Sequence, residues 1–450
     1  MKILHTSDWH LGRTLRGADL TPAFEQWAEF VVRTVRERKV DAVLISGDVY
    51  DRGVPPVAMV DLLSRTLAQL AELAHVVVTA GNHDSAKRLG FGSALMRPEL
   101  AIRTDSRDCG KPVLLPDASG ELGAVVYALP YLDPDVERRK LAPAIPQAPE
   151  PPAGGEGDTT GEGDESRNAS KASEAPPALL TRSHEAVVGA ALELVRADII
   201  AHRSERLRAD GEPAPCIIMA HEFVVGGEPS DSELDIHVGG VDSVPASIFD
   251  LRGDGGEQLV DYVALGHLHG PQRVDRHGPK AAETDADGPI MRYSGSPVAF
   301  SFSEEKHKKS AALLDFSPES ESSSRAPSIE LIAAPVYRKL STIHGTLAEL
   351  TSGAHAAAAE DFVRAIVTDR DRPADLAARI REHFPNALLI EHDHPQVQAR
   401  AEAVALQRSD PLAMLREFFA ASGGRELSSE EAEVLAALWE EHAANAADTS

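Results

Sequence analysis

Cysteine is scarce in this sequence, which has only Cys109 and Cys216 among its 450 residues. The two lack the close spacing of metal-binding cysteines, and a single pair does not make a disulfide framework. A cysteine metal site and a disulfide-rich secreted fold are therefore disfavoured. We expect a cytoplasmic protein.

Long apolar segments are also lacking. The opening residues, MKILHTSDWH, contain no apolar core of a secretory signal. No apolar run approaches the roughly 18 residues that a membrane-spanning helix needs. We therefore expect that the protein has no membrane partner.

Basic residues are in deficit, with 45 lysines and arginines against 71 acidic residues and a formal net charge of −26. This balance disfavours non-specific binding to nucleic acid, which favours basic surfaces. The acidic residues are concentrated in two stretches, residues 150–174 and 426–441. The net charge is therefore a weak guide to the charge of any one face.

Apolar runs alternate with helical patterns along the first part of the chain. Runs at residues 3–4, 42–45 and 76–78 each end in polar residues, and helix-like stretches cover residues 23–38 and 57–73. Such alternation is typical of an α/β fold. Later strands are predicted at residues 123–128, 216–220, 262–265, 291–293 and 311–316.

Composition divides the chain into three parts. Residues 142–177 are rich in proline, glycine, serine and acid, which predicts a disordered acidic insertion within a first domain of residues 1–335. A second domain, residues 336–400, has a strand-helix-strand-helix-strand pattern. Residues 408–445 contain two predicted helices around a Ser-Gly-Gly turn.

Polar clusters follow five of the predicted strands. Ligands of α/β proteins bind beyond the carboxyl ends of strands. Imidazoles suit manganese, iron and zinc, and side-chain oxygens suit manganese or magnesium, so a mixed set can hold two ions about 3.5–4 Å apart if one carboxylate bridges them. The clusters are Asp8-Trp9-His10, Gly47-Asp48-Val49-Tyr50-Asp51, Gly81-Asn82-His83-Asp84, His221 and His267-Leu268-His269.

Each cluster by itself also has an ordinary structural interpretation. A glycine-aspartate pair after a strand is usually a turn, and Asp8 alone can cap a helix. His221 alone can be a packed histidine. Together, in this order and each after a strand, the five clusters indicate a metal site.

The motifs of these clusters resemble the signature of the calcineurin-like metallophosphoesterases. In chain order they are DWH, GDVYD, GNHD, a single histidine and GHLH. The first domain also resembles the SbcD family, the nuclease subunits of bacterial SbcC–SbcD DNA repair complexes. The stretches that carry this resemblance are ILHTSDWHLGRTL, LISGDVYDRGVPP, GNHDSAKRLGFG, LGHLHGPQ and YSGSPVAFSFSE. YRKLSTIHGTLAEL and FPNALLIEH do so in the second domain. The resemblance implies a two-sheet α/β metallophosphoesterase sandwich flanked by helices, a small α/β capping domain and C-terminal helices.

The resemblance also implies a role for each polar position. Two divalent ions, manganese in this family, would be bridged by Asp48 and would activate a water that attacks the phosphodiester; the same ligands would accept iron or zinc. His83 would donate a proton or hydrogen bond to the leaving oxygen, with Asp51 orienting it. The ligands would be Asp8, His10 and His269 for one ion, and Asn82, His221 and His267 for the other.

The implied activity is ATP-independent hydrolysis of DNA in repair and recombination. It comprises 3′-to-5′ exonuclease action on duplex ends and endonuclease action on single strands or hairpins. The implied partners are DNA and an SbcC-type coiled-coil ATPase, which residues 408–445 would bind. A homodimer within a heterotetramer is also implied.

The resemblance implies a dimer that forms through helices near residues 56–73. Their helical spacing predicts one apolar face, and the same spacing is equally typical of ordinary core packing. The predicted face consists of Val57, Val60, Leu63, Leu67 and Leu70.

Two other functions stay open at the level of sequence. GDVYDRG also matches the second motif of phosphoprotein phosphatases, where Arg52 would contact phosphate, so such a phosphatase or a cyclic-nucleotide phosphodiesterase is the alternative enzyme. DWH and GNHD depart from the phosphatase motifs. The other alternative is a mainly DNA-tethering subunit, which would not require seven ligands.

The basic run at residues 306–309 is either a solvated loop or a phosphate contact.

Overall fold

The structure is a computed structural model that describes residues 1–142, 179–233, 243–274, 288–317 and 326–393. All but the first residue of the expected insertion, and the whole of the expected C-terminal helices at residues 408–445, lie outside the described residues. The chain divides into two units, Met1–Lys339 and Leu340–Ser450.

Strands and helices alternate through the described part of the first unit. Its strands are β1 (Lys2–Thr6), β2 (Thr14–Leu15), β3 (Ala18–Asp19), β4 (Ala42–Ser46), β5 (His75–Thr79), β6 (Leu100–Arg103), β7 (Val113–Pro116), β8 (Leu122–Ala128), β9 (Cys216–His221), β10 (Tyr262–Gly266), β11 (Gln272–Arg273), β12 (Ile290–Tyr293), β13 (Ser310–Asp315) and β14 (Ser328–Ala333). Its α-helices are α1 (Thr21–Arg38), α2 (Val57–Ala71), α3 (Ala86–Leu89), α4 (Pro134–Leu141) and α5 (His184–His202).

Most of these strands belong to two six-stranded sheets. The first has the order β14-β13-β1-β4-β5-β6, and the second has the order β11-β12-β10-β9-β8-β7. Strands β1, β4, β5 and β6 run parallel to one another, as do β8, β9, β10 and β12. Parallel strands end at the same edge of their sheet, so each sheet gathers the loops that follow its parallel strands at one edge.

The two sheets pack face to face. Leu44 and Val77 of the first sheet share a buried core with Val126, Ile217 and Met219 of the second. Because strand side chains alternate between faces, each sheet has a second apolar face that needs a cover. The expected α/β sandwich is confirmed.

Helices cover the outer faces of the sandwich. Helix α2 lies against β5 and α1, while Val188, Leu192 and Val195 of α5 share a core with Ile218 and Val263 of the second sheet. None of the helices within the described residues is long and apolar enough to cross a membrane.

The two predicted helices are found with small changes at their ends. Helix α1 begins at Thr21 rather than at residue 23, and α2 ends at Ala71 rather than at residue 73. Helices α4 and α5 were not predicted from the sequence. The apolar residues of α5 are spread around the helix, which weakens its period, and its clearest signal is Ser183, whose side chain accepts a hydrogen bond from the backbone N–H of Ala186.

Helix α2 directs most of its predicted apolar face into the protein. Leu63, Leu67 and Leu70 are buried, whereas Val57 and Val60 are exposed. The five residues therefore do not form one surface. Burial shows that the three leucines pack in the core. The two valines stay exposed because the apolar stripe of a helix is wider than the area that contacts the sheet.

The second unit contains a three-stranded parallel sheet. Its strands β15 (Leu340–Gly345), β16 (Phe362–Val367) and β17 (Ala387–His392) alternate with α6 (Leu347–Leu350) and α7 (Leu376–His383). This order has the predicted strand-helix-strand-helix-strand pattern. The core of the unit includes Ile343, Leu347, Val363, Ala365 and Ile380.

The burial of α2 leads to a stability prediction. Leu63 is 4% exposed and Val60 is 41% exposed. Leu63→Asp should lower the free energy of unfolding by about 3 kcal/mol or more, because it buries a charge in the core, whereas Val60→Asp should change it by about 0.5 kcal/mol. Urea denaturation of the two variants measures the difference. Equal losses would contradict the placement of α2.

Candidate metal centre

Five loops meet where parallel strands of the two sheets end. Strand β4 lies against β9 and β10 across the sandwich. The loops after β1, β4 and β5 therefore face those after β9 and β10. These loops carry six of the seven predicted metal ligands and His83, and the seventh, His221, is the last residue of β9.

Backbone hydrogen bonds join the loops after β1 and β4. The N–H of Asp8 donates to the carbonyl of Gly47 at 3.1 Å, and the N–H of His10 donates to the carbonyl of Asp48 at 2.9 Å. Asp8, His10 and Asp48 all have positive φ values, between 45° and 53°. Non-glycine residues hold such conformations where the surrounding structure imposes them, as at functional sites.

Asp84 ties the loops after β4 and β5 together. Its carboxylate accepts hydrogen bonds from the backbone N–H groups of Val49 at 3.0 Å, Tyr50 at 2.9 Å and Gly81 at 2.9 Å. Asp84 belongs to a predicted cluster, but no separate role was predicted for it. Its contacts give it a structural one.

Gly266 permits the close approach of β10 to the end of β4. A Cβ atom at this position would lie 1.8 Å from the carbonyl oxygen of Ser46. No other residue type fits without moving a strand, so the glycine before the two histidines brings their loop to the loop after β4.

Asp8, His10 and His269 form a first cluster of potential ligands. One ligand atom of each lies within 4.8 Å of the others. The Nε2 atoms of His10 and His269 are 3.0 Å apart, and all three side chains are buried. Two imidazole nitrogens and a carboxylate oxygen form a donor set that suits a divalent transition metal.

Asn82, His221 and His267 form a second group. The Oδ1 atom of Asn82 lies 3.0 Å from Nε2 of His221 and 3.2 Å from Nδ1 of His267. The outer nitrogen of His221, Nδ1, donates to the carbonyl of Ser46 at 2.9 Å. A carbonyl that holds the outer N–H in this way orients a metal-binding imidazole.

Asp48 lies between the two groups. Its Oδ2 atom is 3.4 Å from Nε2 of His10 and 3.3 Å from Nε2 of His221. Its Oδ1 atom accepts a hydrogen bond from the backbone N–H of His83 at 2.9 Å. The carboxylate therefore has one oxygen directed at both groups, which is the position that a bridging ligand needs.

Burial and charge set the protonation of Asp48 and His221. Burial raises the pKa of Asp48, but the imidazoles of His221 and His10 outweigh it and hold that pKa well below its usual range. Burial lowers the pKa of His221, but the Asp48 carboxylate outweighs it and raises the pKa to about 10. Without metal, the two form an ion pair. A metal ligand must be the neutral imidazole, so this proton leaves when a cation binds.

The neighbouring ligands respond to the same burial. Burial and the charge of His221 lower the pKa of His267 to about 3, so His267 is neutral at pH 7. Burial raises the pKa of Asp8 to about 6, against the opposing effects of His221 and His269. The donor set thus fits divalent metal ions, and its buried carboxylates gain most from a cation.

His83 contacts Asp51 through the backbone. Its Nδ1 atom lies 2.9 Å from the Asp51 carbonyl oxygen. The Asp51 carboxylate instead lies 3.8 Å from Nδ1 of His10 and 3.8 Å from Nε of Arg13. The predicted orienting contact to His83 is therefore made by the main chain, because the Asp51 side chain faces the loop after β1.

Sequence reasoning missed a group of residues around His269. Ser232 and Lys309 each contact both His269 and Glu304. Lys309 belongs to the basic run at residues 306–309, yet its side chain is only 8% exposed and is paired with Glu304. Burial raises the pKa of Glu304, but Lys309 outweighs it and the pKa falls well below its usual range.

Two family models match the chain. The calcineurin-like phosphoesterase model matches residues 1–118, which contain the loops after β1, β4 and β5. The model of the type 5 capsule protein repressor C-terminal domain matches residues 336–422, which contain the three-stranded sheet of the second unit.

Curated proteins named as the SbcD subunit of the SbcCD nuclease align with most of the chain. The protein from Escherichia coli K12 is 28% identical over 357 residues, which cover 78% of this chain and 73% of that protein. The protein from Bacillus subtilis 168 is 32% identical over 322 residues, which cover 71% of this chain and 67% of that protein. The chain therefore belongs to the SbcD family, the nuclease subunits that hydrolyse phosphodiester bonds with divalent metal ions.

Proposed function

We propose that this chain is the DNA-cleaving subunit of an SbcCD-type complex that acts in DNA repair and recombination. The position of the Asp48 carboxylate between two groups of nitrogen and oxygen ligands carries the proposal. The reaction is ATP-independent hydrolysis, as a 3′-to-5′ exonuclease on duplex ends and an endonuclease on single strands or hairpins. The name of the relatives supports the nuclease activity.

Each proposed ion takes three ligands besides Asp48. Asp8, His10 and His269 hold one ion, and Asn82, His221 and His267 hold the other, with Asp48 shared. We propose manganese, because it accepts imidazole nitrogen together with carboxylate and amide oxygen. When bound, a pair of such ions lowers the pKa of an attacking water and stabilises the charge that develops on the phosphate.

His83 is the proposed proton donor. Its Nδ1 atom donates to the Asp51 carbonyl, so Nε2 remains for the substrate. A histidine protonated on Nε2 can donate to the leaving oxygen of the cleaved strand. Asp51 acts on His83 through its main chain alone.

An SbcC-type coiled-coil ATPase is the proposed protein partner, with DNA as the substrate. The apolar residues Leu412, Leu415, Phe418 and Phe419 in the sequence follow a helical stripe that suits a docking helix. The cytoplasm is the proposed compartment, because Cys109 and Cys216 are both buried thiols.

A homodimer within a heterotetramer is also proposed. Five exposed apolar side chains, which we call the apolar surface, support it: Val54, Val57, Val60, Phe91 and Leu95 are between 41% and 90% exposed. The segments that carry them are joined by a hydrogen bond from Arg88 to the carbonyl of Gly53 at 2.5 Å. Exposed apolar patches of this kind mark interaction sites.

The nuclease assay is the main test of the proposed function. Metal-stripped protein, alone and with its ATPase subunit, would receive manganese and end-labelled duplex DNA, with a phosphoserine peptide and a simple phosphate monoester in parallel. We expect shortening from the 3′ ends. His83→Ala should reduce the rate by about 10²- to 10⁴-fold, and His344→Ala, which alters an exposed histidine of the second unit, should not.

The other outcomes of this assay are informative. Hydrolysis of the phosphate monoesters alone would favour a phosphatase. If none of the substrates is hydrolysed, with or without the ATPase subunit, the result would favour a DNA-tethering role. A rate unchanged in His83→Ala would remove this residue from the reaction.

The dimer is tested with exposed residues of α2. Val57→Asp combined with Val60→Asp should give monomers by light scattering, because the charges disrupt the apolar surface while the core is unchanged. Leu63 and Leu67 are unsuitable for this test because they are buried. Arg65→Asp, at an exposed position of the same helix, is the control and should stay dimeric. A double variant that stays dimeric would place the interface elsewhere.

A further inference from the structure

The outer nitrogen of His269 contacts a chain of three polar side chains. Its Nδ1 atom lies 2.5 Å from Oγ of Ser232, and the same Oγ lies 2.6 Å from Oε1 of Glu304. The other carboxylate oxygen of Glu304 accepts a hydrogen bond from the ammonium group of Lys309. Two separate segments, one with Ser232 and one with Glu304 and Lys309, thus meet behind one predicted ligand.

The donors and acceptors in this hydrogen-bonded series of side chains determine the tautomer of His269. Glu304 is an acceptor-only carboxylate paired with Lys309, so the single O–H of Ser232 donates to Glu304. The Ser232 oxygen can then only accept from His269, which requires a proton on Nδ1. The Nε2 atom of neutral His269 therefore carries the lone pair, and it lies 3.0 Å from Nε2 of His10.

The neighbouring contacts agree with this assignment. Ser230 Oγ lies 2.9 Å from Ser232 Oγ and can donate to it. A carboxylate oxygen of Glu233 lies 3.5 Å from Nδ1 of His269, where it also favours a proton on that nitrogen.

The main chain of His269 is held as firmly as its ring. Its N–H donates to the carboxylate of Glu233, the residue after Ser232. Its carbonyl accepts from Lys309 at 2.8 Å, and Lys309 also donates to Ser296 at 2.8 Å. Glu304 is only 1% exposed. An unpaired buried carboxylate would be strongly destabilising, so the partners of Glu304 hold it in a defined position.

We propose that Ser232 and Glu304 are positioning residues that hold His269 as the Nδ1–H tautomer and direct its Nε2 lone pair toward the metal centre. Lys309 holds Glu304 in place. The inference rests on the proposed function only in taking His269 as a metal ligand. Residues that hold the outer nitrogen of a metal-binding histidine change metal affinity by about 10- to 100-fold when removed.

The first test is manganese binding to the metal-free full chain by titration calorimetry. Ser232→Ala should weaken one of two sites about 10-fold or more and leave the other within about twofold. Ser232→Thr keeps the hydroxyl and should bind as the wild type does. Ser341→Ala is the matched control, because Ser341 also donates to a carboxylate, that of Asp361 at 2.7 Å in the second unit; it should change neither site.

The second test reads the tautomer directly. Nitrogen-15 NMR of histidine-labelled, metal-free protein, with the His269 signals identified from the spectrum of His269→Ala, should show the proton on Nδ1. In Ser232→Ala we expect a mixture of the two tautomers. A merely structural role of Ser232 would not move this signal.

Three results would overturn the proposal. One is a Ser232→Ala variant with both manganese sites at wild-type affinity, which leaves the proposed function intact if the wild type binds two ions. Another is equal weakening at both sites together with a lower unfolding temperature of the metal-free protein, which would show general destabilisation. The third is a wild type without manganese binding, which would overturn the proposed function as well.

Discussion

The buried negative charge of Asp48 is the constraint on which the site depends. Removing a carboxylate from water costs several kcal/mol unless positive partners or hydrogen bonds offset it. Asp48 is 2% exposed, and it lies within 3.4 Å of two imidazole nitrogens and accepts one backbone N–H. The metal-free protein balances this charge with the proton of His221, and divalent cations balance it more fully.

The sandwich supplies this arrangement through strand ends. Parallel strands in both sheets end at adjoining edges, so short loops bring side chains from residues 8 to 269 into one small volume. Positive φ values at Asp8, Asp48 and His267 show that the loops are held in unusual conformations. Asp84 and Gly266 secure the loops, one through hydrogen bonds and the other through the absence of a side chain.

The sequence predicted the site best where polar residues directly follow an apolar strand. Polar residues after apolar strands predicted which side chains the structure brings together, because strand direction alone brings such residues to one edge. The contacts of Ser232 and Glu304 with His269 were not predictable, since they join residues far apart in sequence. Helix α2 could not be oriented by its period, because Val57 and Leu63 fit the same stripe although only Leu63 is buried.

The most direct test of a metal pair bridged by Asp48 is anomalous X-ray diffraction from manganese-soaked crystals, recorded at the manganese absorption edge. We expect two peaks about 3.5–4 Å apart, one on each side of the Asp48 carboxylate. One peak should contact His10 and His269, and the other His221 and His267. A single peak, or two peaks that do not share Asp48, would contradict the bridged pair.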